Sequence, residues 1–400
     1  MLECLSFWIC TTSGVRFRGI PAAFEWHLMK LVYIIVGLDV GGAESFLVKL
    51  GRELLHRHTI EVISLSSEGQ LASQLRDAGV SVTALGMRPG RFSLSGFLRL
   101  VAILKRSRPD LVHAWMYHAA MIGGLAARIA GVPRLVWSIH HSNLSRGANK
   151  LSTLAVIRSA ALLSHILPAR IVYVAHTARD VHERICFSRS KGVVIHDGFD
   201  VSKFRPDPLA RASVRAELGV SDDVALIGVV ARFDPQKGHA IFVDAAAKLR
   251  TLVPEARFVL AGRGVDAKNK VLVRWIEKAG IADNVFLLGH RSDVNWLMAS
   301  LDILLLPSVG EAFPNVVGEA MACGVPCVAT DVGDTAVLIG DTGLVSPPQD
   351  STCLADQIAE LLRRSRQERE ALGALARQRV VQEFRLAIAA RKYDELYTGT

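Results

Sequence analysis

Residues 308–331, SVGEAFPNVVGEAMACGVPCVATD, decide how the rest of the chain is interpreted. The apolar run LDILLL at 301–306 precedes them and predicts a buried parallel strand. A loop follows, then a short helix over about 316–322 with Asn315 as its predicted capping residue, and then a second apolar strand. This order of strand, loop, helix and strand is typical of a parallel α/β sheet.

Two carboxylates mark the loop and the helix of this segment, Glu311 and Glu319. Apolar residues surround both, and burying a carboxylate without a partner costs several kcal/mol, so we expect a ligand to contact Glu319. The backbone N–H groups of Phe313, Asn315 and Val316 lie at the predicted helix start, where oxygen atoms and negative charge bind readily. The alternative is that both glutamates are solvated surface charges.

Two cations follow the strand that opens the second half of the chain. Arg232 and Lys237 lie in GVVARFDPQKG, between an apolar run and a predicted helix. Arginine can bind two oxygen atoms at once and lysine adds a mobile point charge, so the pair suits a diphosphate. Alternatively, each could be a solvated surface cation.

The first half of the chain begins with a similar pattern. The apolar run at 31–36 predicts a buried strand, and Gly41 and Gly42 separate it from a helix predicted over about 43–56. The spacing is not that of a dinucleotide fingerprint, but glycines here let a ligand approach the backbone. A plain tight turn is the alternative. Strands and helices then alternate throughout, which predicts doubly wound parallel sheets with ligands at the carboxyl ends of the strands.

Composition limits the possible classes of protein. Half of the 400 residues are hydrophobic, enough for two domains with sizeable cores. The six cysteines form no CxxC, which fits a reducing, cytoplasmic compartment. The longest apolar stretch, 151–175, contains Arg158, His165 and Arg170 and is therefore not expected to span a membrane.

The net charge of +9 comes from the first half of the chain, where Lys and Arg outnumber Asp and Glu. The cations are dispersed without a nucleic-acid-binding motif, so we expect no nucleic acid partner. An anionic membrane surface or a lipid-diphosphate acceptor fits better. Residues 88–108 predict an amphipathic helix flanked by cations. We favour a core-facing helix there and keep docking at a membrane surface as a hypothesis.

At these motifs the chain resembles the family 4 retaining glycosyltransferases, which have the GT-B fold of two doubly wound Rossmann-like domains facing each other across a cleft. The resemblance is carried by Glu311-x7-Glu319, by Arg232 and Lys237, and by GLDVGGAES near the start, and it extends from residue 29 to about 397. It implies four parts: an extension without a role in the fold at 1–28, an acceptor-binding domain at 29–200, a nucleotide-sugar-binding domain at 201–380, and a helix at 381–400 that crosses back to the first domain.

The resemblance also implies roles for the charged residues. Glu311 would position the transferred sugar and stabilise cationic character at the anomeric carbon, while Glu319 would hold the ribose hydroxyls. Arg232 and Lys237 would meet the charge that develops on the leaving diphosphate. Because the chain contains no metal-binding DxD motif, we expect no metal and no cofactor besides the nucleotide-sugar co-substrate.

Further positions follow from the same resemblance. His118 matches an active-site histidine near the transferred sugar, and His140 or His141 would line the acceptor side, although a lone histidine is as often structural. Gly41 and Gly42 would face the diphosphate, and Gly289 would lie near the nucleotide base. Asp197 stands where the family usually has asparagine, and we expect its carboxylate to repel an anionic donor.

The predicted function is transfer of a hexosyl or N-acetylhexosaminyl group from a nucleotide-diphosphate sugar to a glycan or lipid-linked acceptor. The setting would be synthesis of a cell-surface polysaccharide or lipopolysaccharide, in the cytoplasm or peripherally on the inner face of the membrane. Retention of configuration is implied by the resemblance alone. The alternatives are a nucleotide-sugar epimerase or hydrolase of the same fold, and a non-catalytic nucleotide-sugar-binding protein.

Overall fold

The structure is a computed structural model and describes residues 28–88, 93–144 and 151–399. The predicted extension at 1–28 lies outside the described residues, except for Leu28. Part of the predicted amphipathic segment, residues 89–92, also lies outside them.

Seven parallel strands of the first half form one sheet, in the order β3-β2-β1-β4-β5-β6-β7. The strands are β1 Lys30–Ile35, β2 Thr59–Ser64, β3 Ser81–Ala84, β4 Leu111–Trp115, β5 Arg134–Ile139, β6 Arg170–Tyr173 and β7 Gly192–Val194. The helices between them are α1 Gly42–Leu54, α2 Ala72–Asp77, α3 Leu94–Ser107, α4 Met116–Ala130, α5 Leu151–Ser164 and α6 His176–Arg184. This sheet and its helices form the first lobe.

The second half repeats the architecture with six parallel strands in the order β10-β9-β8-β11-β12-β13. The strands are β8 Leu226–Val230, β9 Arg257–Ala261, β10 Val285–Leu287, β11 Ile303–Leu306, β12 Cys327–Thr330 and β13 Leu344–Ser346. The helices of this second lobe are α7 Pro208–Leu218, α8 His239–Leu252, α9 Lys270–Lys278, α10 Val294–Ser300, α11 Asn315–Ala322, α12 Thr335–Ile339, α13 Ser351–Arg363 and α14 Arg366–Glu383. Short 3-10 turns occur at Arg189–Lys191, Pro235–Lys237 and Ala282–Asn284.

The central strands are buried because helices cover both faces of each sheet. In β4 and β11 every residue is buried, which explains why the sequence shows continuous apolar runs rather than alternation. The predicted pair of parallel sheets is therefore present.

The strand order places one switch point in each sheet. In the first sheet the order reverses between β1 and β4, and in the second between β8 and β11. Loops after the two strands at such a point diverge to opposite faces and leave a crevice at the carboxyl ends. The glycines after β1, the cations after β8 and Glu311 after β11 are therefore placed at the crevices by topology alone.

The chain returns to the first lobe at its end. Phe199, in the segment after β7, receives a hydrogen bond from the Leu386 amide and donates its own to Phe384. Helix α15, Leu386–Thr398, then packs against α1, and Tyr393 and Tyr397 are fully buried in the core of the first lobe. The crossing helix thus begins at 386, whereas residues 381–383 still belong to α14.

Within residues 28–88, 93–144 and 151–399, none of the helices combines the length and apolar character that crossing a bilayer requires.

Candidate active site

A cavity of about 490 Å³ lies between the two lobes, at the carboxyl ends of both sheets. The first lobe contributes the glycines that start α1, the segment after β5 and Asp197. The second lobe contributes the loop after β8 and the loop between β11 and α11. Ten of the predicted site residues line it: Gly41, Gly42, His140, His141, Arg232, Lys237, Glu311, Phe313, Asn315 and Val316.

An ion pair joins the two loops of the second lobe at this cavity. The Lys237 ammonium donates to Oε1 of Glu311 across 2.6 Å, and the Ser308 hydroxyl donates to the same oxygen across 2.7 Å. Lys237 ends the 3-10 turn that follows β8, and Asp234 caps this turn by accepting from the Gln236 amide. The two predicted charges are therefore held together where the loops of the switch point meet.

Arg232 has a different environment from Lys237. Its side chain is 60% exposed and donates to Asp234, two residues further on. Burial raises the pKa of Glu44 across the cavity, with Asp39 adding to the rise and Arg232 opposing it. Because the Arg232 guanidinium is exposed and pairs with the neighbouring Asp234, it can turn toward an anionic ligand at a small cost in free energy.

The start of α11 faces the first lobe. A Cβ placed on Gly42 would lie 3.6 Å from Nδ2 of Asn315, so the two loops approach closely. Asn315 does not cap the helix as predicted: it is the first helical residue, Pro314 flanks it, and no side chain caps the helix. Its side chain instead lies near the buried Asp197 of the facing lobe and lowers the pKa of that carboxyl group, which burial raises.

Glu319 lies one turn further along α11, outside the residues that line the cavity. Its carboxylate pairs with the Lys49 ammonium of α1 at 3.4 Å, an ion pair between the lobes. From the sequence we expected a ligand to contact this carboxylate. The structure supplies a protein partner 270 positions away, which local sequence could not reveal.

The predicted histidines divide into two groups. His140 and His141 line the cavity, and the His140 ring stacks on Trp115 with centroids 5.1 Å apart. His118 is half-buried in the first turn of α4 and does not line the cavity, whereas Met116 of the same turn does. Burial lowers the pKa of His118 and of His140, the latter to about 3, so both rings are neutral near pH 7.

Asp197 is 3% exposed and lies 3.6 Å from Nδ1 of His140. This distance would allow an ion pair, but burial raises the pKa of Asp197 to about 8 and leaves the pair uncharged at neutral pH. Burial therefore weakens the repulsion of an anionic donor that we expected from this carboxylate. Desolvation keeps the group protonated, so that it presents a neutral carboxylic acid to the cavity.

Gly289 does not line the cavity. It follows β10 with a φ of +65°, a conformation that favours glycine, and its carbonyl accepts from the Gly262 amide. In the structure Gly289 therefore allows the turn that follows the edge strand β10.

Ser142, Gln236 and Met116 are among the cavity residues that were not selected from the sequence. Ser142 directly follows His141, and its hydroxyl donates to the Glu311 carbonyl, linking the lobes. A polar residue after a predicted strand was a signal that could have identified it. Gln236 lies in sequence between the predicted site residues Arg232 and Lys237. Met116, which has a φ of +68°, had no sequence feature that would have identified it.

Two parallel α/β sheets with a cavity between their lobes define a GT-B architecture, and comparisons with known proteins identify the family. Two family profiles match the chain: "Glycosyl transferases group 1" over residues 225–364 and "Glycosyltransferase Family 4" over residues 40–203. The chain belongs to this group 1, family 4 glycosyltransferase family, whose members use nucleotide-sugar donors.

Several characterised relatives are similar over long stretches. The chain is 27% identical over 370 residues to the N-acetyl-alpha-D-glucosaminyl L-malate synthase of Bacillus anthracis, covering 90% of this chain and 94% of that protein. It is 25% identical over 250 residues to the UDP-Gal:alpha-D-GlcNAc-diphosphoundecaprenol alpha-1,3-galactosyltransferase of Escherichia coli, covering 62% and 64%.

Solved structures share the fold. The Anabaena HepE structure in complex with UDP and glucose superposes with a TM-score of 0.80 at 25% identity, covering 93% of this chain and all of that chain. The WaaG structure, from a glycosyltransferase involved in lipopolysaccharide biosynthesis, gives a TM-score of 0.72 at 18% identity, covering 92% and 100%. The predicted GT-B fold is thereby confirmed.

Proposed function

We propose that this glycosyltransferase transfers a hexosyl or N-acetylhexosaminyl group from a UDP-sugar to a glycan or lipid-linked acceptor, in synthesis of a cell-surface polysaccharide. The observation that carries the proposal is the Lys237–Glu311 pair at the mouth of the second-lobe crevice. The choice of UDP is supported by the galactosyltransferase relative, which is named for UDP-Gal, and by HepE, which was solved with UDP.

The donor would lie on the second lobe, residues 201–380, with its diphosphate at the cations. Breaking the bond between the anomeric carbon and the diphosphate leaves negative charge on the diphosphate. Lys237 and Arg232 would offset that charge, helped by the N–H groups at the start of α11. Lys237 and the N–H groups are held in place before the reaction, so the charge is met without reorganising water and without a required metal ion.

Glu311 would act on the sugar side of the breaking bond. Its carboxylate lies beside Lys237, so one group faces the developing positive charge of the anomeric carbon and the other faces the leaving group. Glu319 would hold the ribose hydroxyls after exchanging its Lys49 contact for the donor. Retention of configuration, with attack from the face of the leaving group, belongs to the same proposal.

The acceptor would bind the first lobe, residues 29–200, where His140, His141 and Ser142 line the cavity. The neutral His140 ring and the protonated Asp197 carboxyl offer hydrogen bonds without charge, which suits hydroxyl groups of a sugar. His118 is half-buried beside this wall and would reach the transferred sugar only if the first turn of α4 moves.

Exposed apolar side chains on the first lobe support a lipid-linked acceptor. Helices α3, α4 and α5 pack side by side. They expose apolar side chains to solvent: Leu94 and Leu98 on α3, Ile129 on α4, and Leu162 on α5. Exposed apolar side chains with cations nearby are suited to peripheral contact with an anionic membrane.

A donor screen tests the proposed function. Purified protein is incubated with UDP-, GDP- and ADP-sugars and a lipid extract, and products are identified by mass spectrometry. We expect release of UDP together with a glycosylated lipid, and loss of both in Glu311→Gln. Consumption of the donor without any acceptor would instead indicate an epimerase or hydrolase, and binding without turnover a non-catalytic protein.

A further inference from the structure

Three metal-ligating side chains meet outside the cavity, at the junction of the two lobes. His176 begins α6 in the first lobe, His196 lies in the segment after β7, and Asp334 directly precedes α12 in the second lobe. Their ligand atoms all lie within 4.8 Å of one another. Within the described residues this is the group of His, Cys, Asp and Glu side chains whose spacing could hold a metal ion.

The carboxylate of this group is fixed in position before any ion binds. Asp334 is 1% exposed, and Oδ1 accepts from the Thr177 amide and hydroxyl, both at 3.0 Å. Oδ2 accepts from the His176 amide at 2.6 Å. These hydrogen bonds hold the Asp334 carboxylate in one orientation.

The second ligand is equally well placed. Nε2 of His196 lies 3.0 Å from Oδ2 of Asp334, close to the separation of about 3.3 Å between two ligands of a tetrahedral Zn²⁺ with bonds near 2.0 Å. The His196 ring packs against Phe313 and Phe384, with centroids 4.7 and 5.8 Å away, which holds its orientation. A metal ion here would take the place of the hydrogen-bonded proton between Nε2 of His196 and Oδ2 of Asp334.

The third ligand lies on the exposed side of the site. His176 is exposed, and its ring centroid lies 5.3 Å from that of His196. A rotation of this exposed side chain can bring its ring nitrogen to the ion, while a fourth position stays open to water. Two imidazoles with one carboxylate suit Zn²⁺, whereas Mg²⁺ prefers oxygen ligands.

We propose that His176, His196 and Asp334 bind one Zn²⁺ ion that cross-links the two lobes. The ion would join α6 of the first lobe to the residue before α12 in the second. The Asp334 amide donates to the Ala312 carbonyl, next to Glu311, so the cross-link is continuous with the catalytic loop. The role is structural and separate from the proposed chemistry, which needs no metal.

Metal titration of the full chain tests the proposal. Protein without a histidine tag is stripped with a chelator, and Zn²⁺ binding is measured by calorimetry and Co²⁺ binding by visible absorption. We expect one ion per chain and the intense absorption of tetrahedral Co²⁺. His176→Ala removes one ligand and should weaken Zn²⁺ binding by at least about 100-fold. His290→Ala, at another exposed histidine, should leave it unchanged.

Thermal unfolding gives an independent readout. Because the His176 side chain is exposed, His176→Ala should unfold at the wild-type temperature when no metal is present. Zn²⁺ should raise the Tm of the wild type and of His290→Ala, but that of His176→Ala much less. No binding by the wild type, or equal binding and equal Tm shifts in His176→Ala, would overturn the proposal and leave a hydrogen-bonded latch between the lobes.

Discussion

The Lys237 ammonium and the Glu311 carboxylate stand 2.6 Å apart, although 74 positions of sequence separate them. Each lies in the loop after one of the two strands at the switch point of the second sheet. The contact therefore results from strand order, and it puts a positive and a negative group side by side where a glycosyl–diphosphate bond would be cleaved.

Removing either charge should slow the chemical step. We expect Lys237→Ala and Glu311→Ala each to lower kcat by about 10²-fold or more, the size of effect seen on removing one preorganised charge-stabilising group. Steady-state kinetics with the donor found in the screen measure this. Lys248→Ala is the matched control, because Lys248 donates only to hydroxyls of Ser351 and Thr352 on the surface. Near-normal turnover in both variants would rule out the assigned site.

Glu319 should affect donor binding more than turnover. A hydrogen bond to a charged group contributes about 1.5–3 kcal/mol, so Glu319→Gln should raise the donor KM by about 10- to 100-fold while kcat changes little. Glu360→Gln, at an exposed glutamate of α13 paired with Arg364, should change neither constant. A fall in kcat at constant KM would contradict the ribose-binding role.

Asp197 should make stability depend on pH in a defined direction. Its pKa in the folded chain is about 8, above the value of about 4 in an unfolded chain. Between these values the folded chain binds the proton more tightly, so the free energy of unfolding should fall as pH rises from about 4 to about 8. In urea unfolding, Asp197→Asn should gain stability relative to wild type across that window. A constant difference between the two proteins would refute this.

Gly318 of α11 should not tolerate a side chain. A Cβ at this position would lie 2.0 Å from the ring of Phe199, in the segment that joins the lobes. Gly318→Ala should therefore lower the free energy of unfolding by about 1–3 kcal/mol. Gly51→Ala is the control: its Cβ would meet neighbours only at 3.8 Å or more, and alanine within α1 should stabilise by about 0.5–1 kcal/mol. Denaturant midpoints compare the two.

The cations near α3 should contribute to membrane contact. On α3 the side chains of Leu94 and Leu98 are exposed, and Arg88 and Arg99 are exposed nearby. Replacing Arg88, Arg91 and Arg99 with Glu should reduce co-sedimentation with vesicles that contain phosphatidylglycerol, and added salt should reduce it further for the wild type.

A charge-matched variant controls for net charge in the vesicle experiment. Lys268, Lys270 and Lys278 are exposed on the second lobe, and replacing all three with Glu changes the net charge equally. This variant should sediment as the wild type does. Equal retention of the Arg88, Arg91, Arg99 variant and the wild type would exclude docking through this segment.

Much of the second-lobe site could be predicted from sequence, because local rules place its residues. Strand and helix alternation gave the two sheets, and Arg232, Lys237 and Glu311 follow strands whose ends must meet at a crevice. The proximity of these residues required only topology. No knowledge of side-chain packing was needed.

Contacts between the lobes could not be predicted in the same way. The Lys49 partner of Glu319 and the Asn315 contact with Asp197 depend on how two separately patterned halves pack together. The protonation state of Asp197 depends on its burial, which the sequence motif does not reveal. His118 shows the same difficulty. Met116, two positions earlier in the first turn of α4, lines the cavity and His118 does not, because neighbouring positions on a helix face different directions.

The return of α15 to the first lobe has a consequence for biosynthesis. Tyr393 and Tyr397 share a core with Leu31 and Tyr33, so β1, the first of the described strands to leave the ribosome, is covered only after α15 has been made. Until that helix emerges, the face of the nascent sheet that it covers is exposed to water, and a chaperone that shields apolar surface would act during this interval.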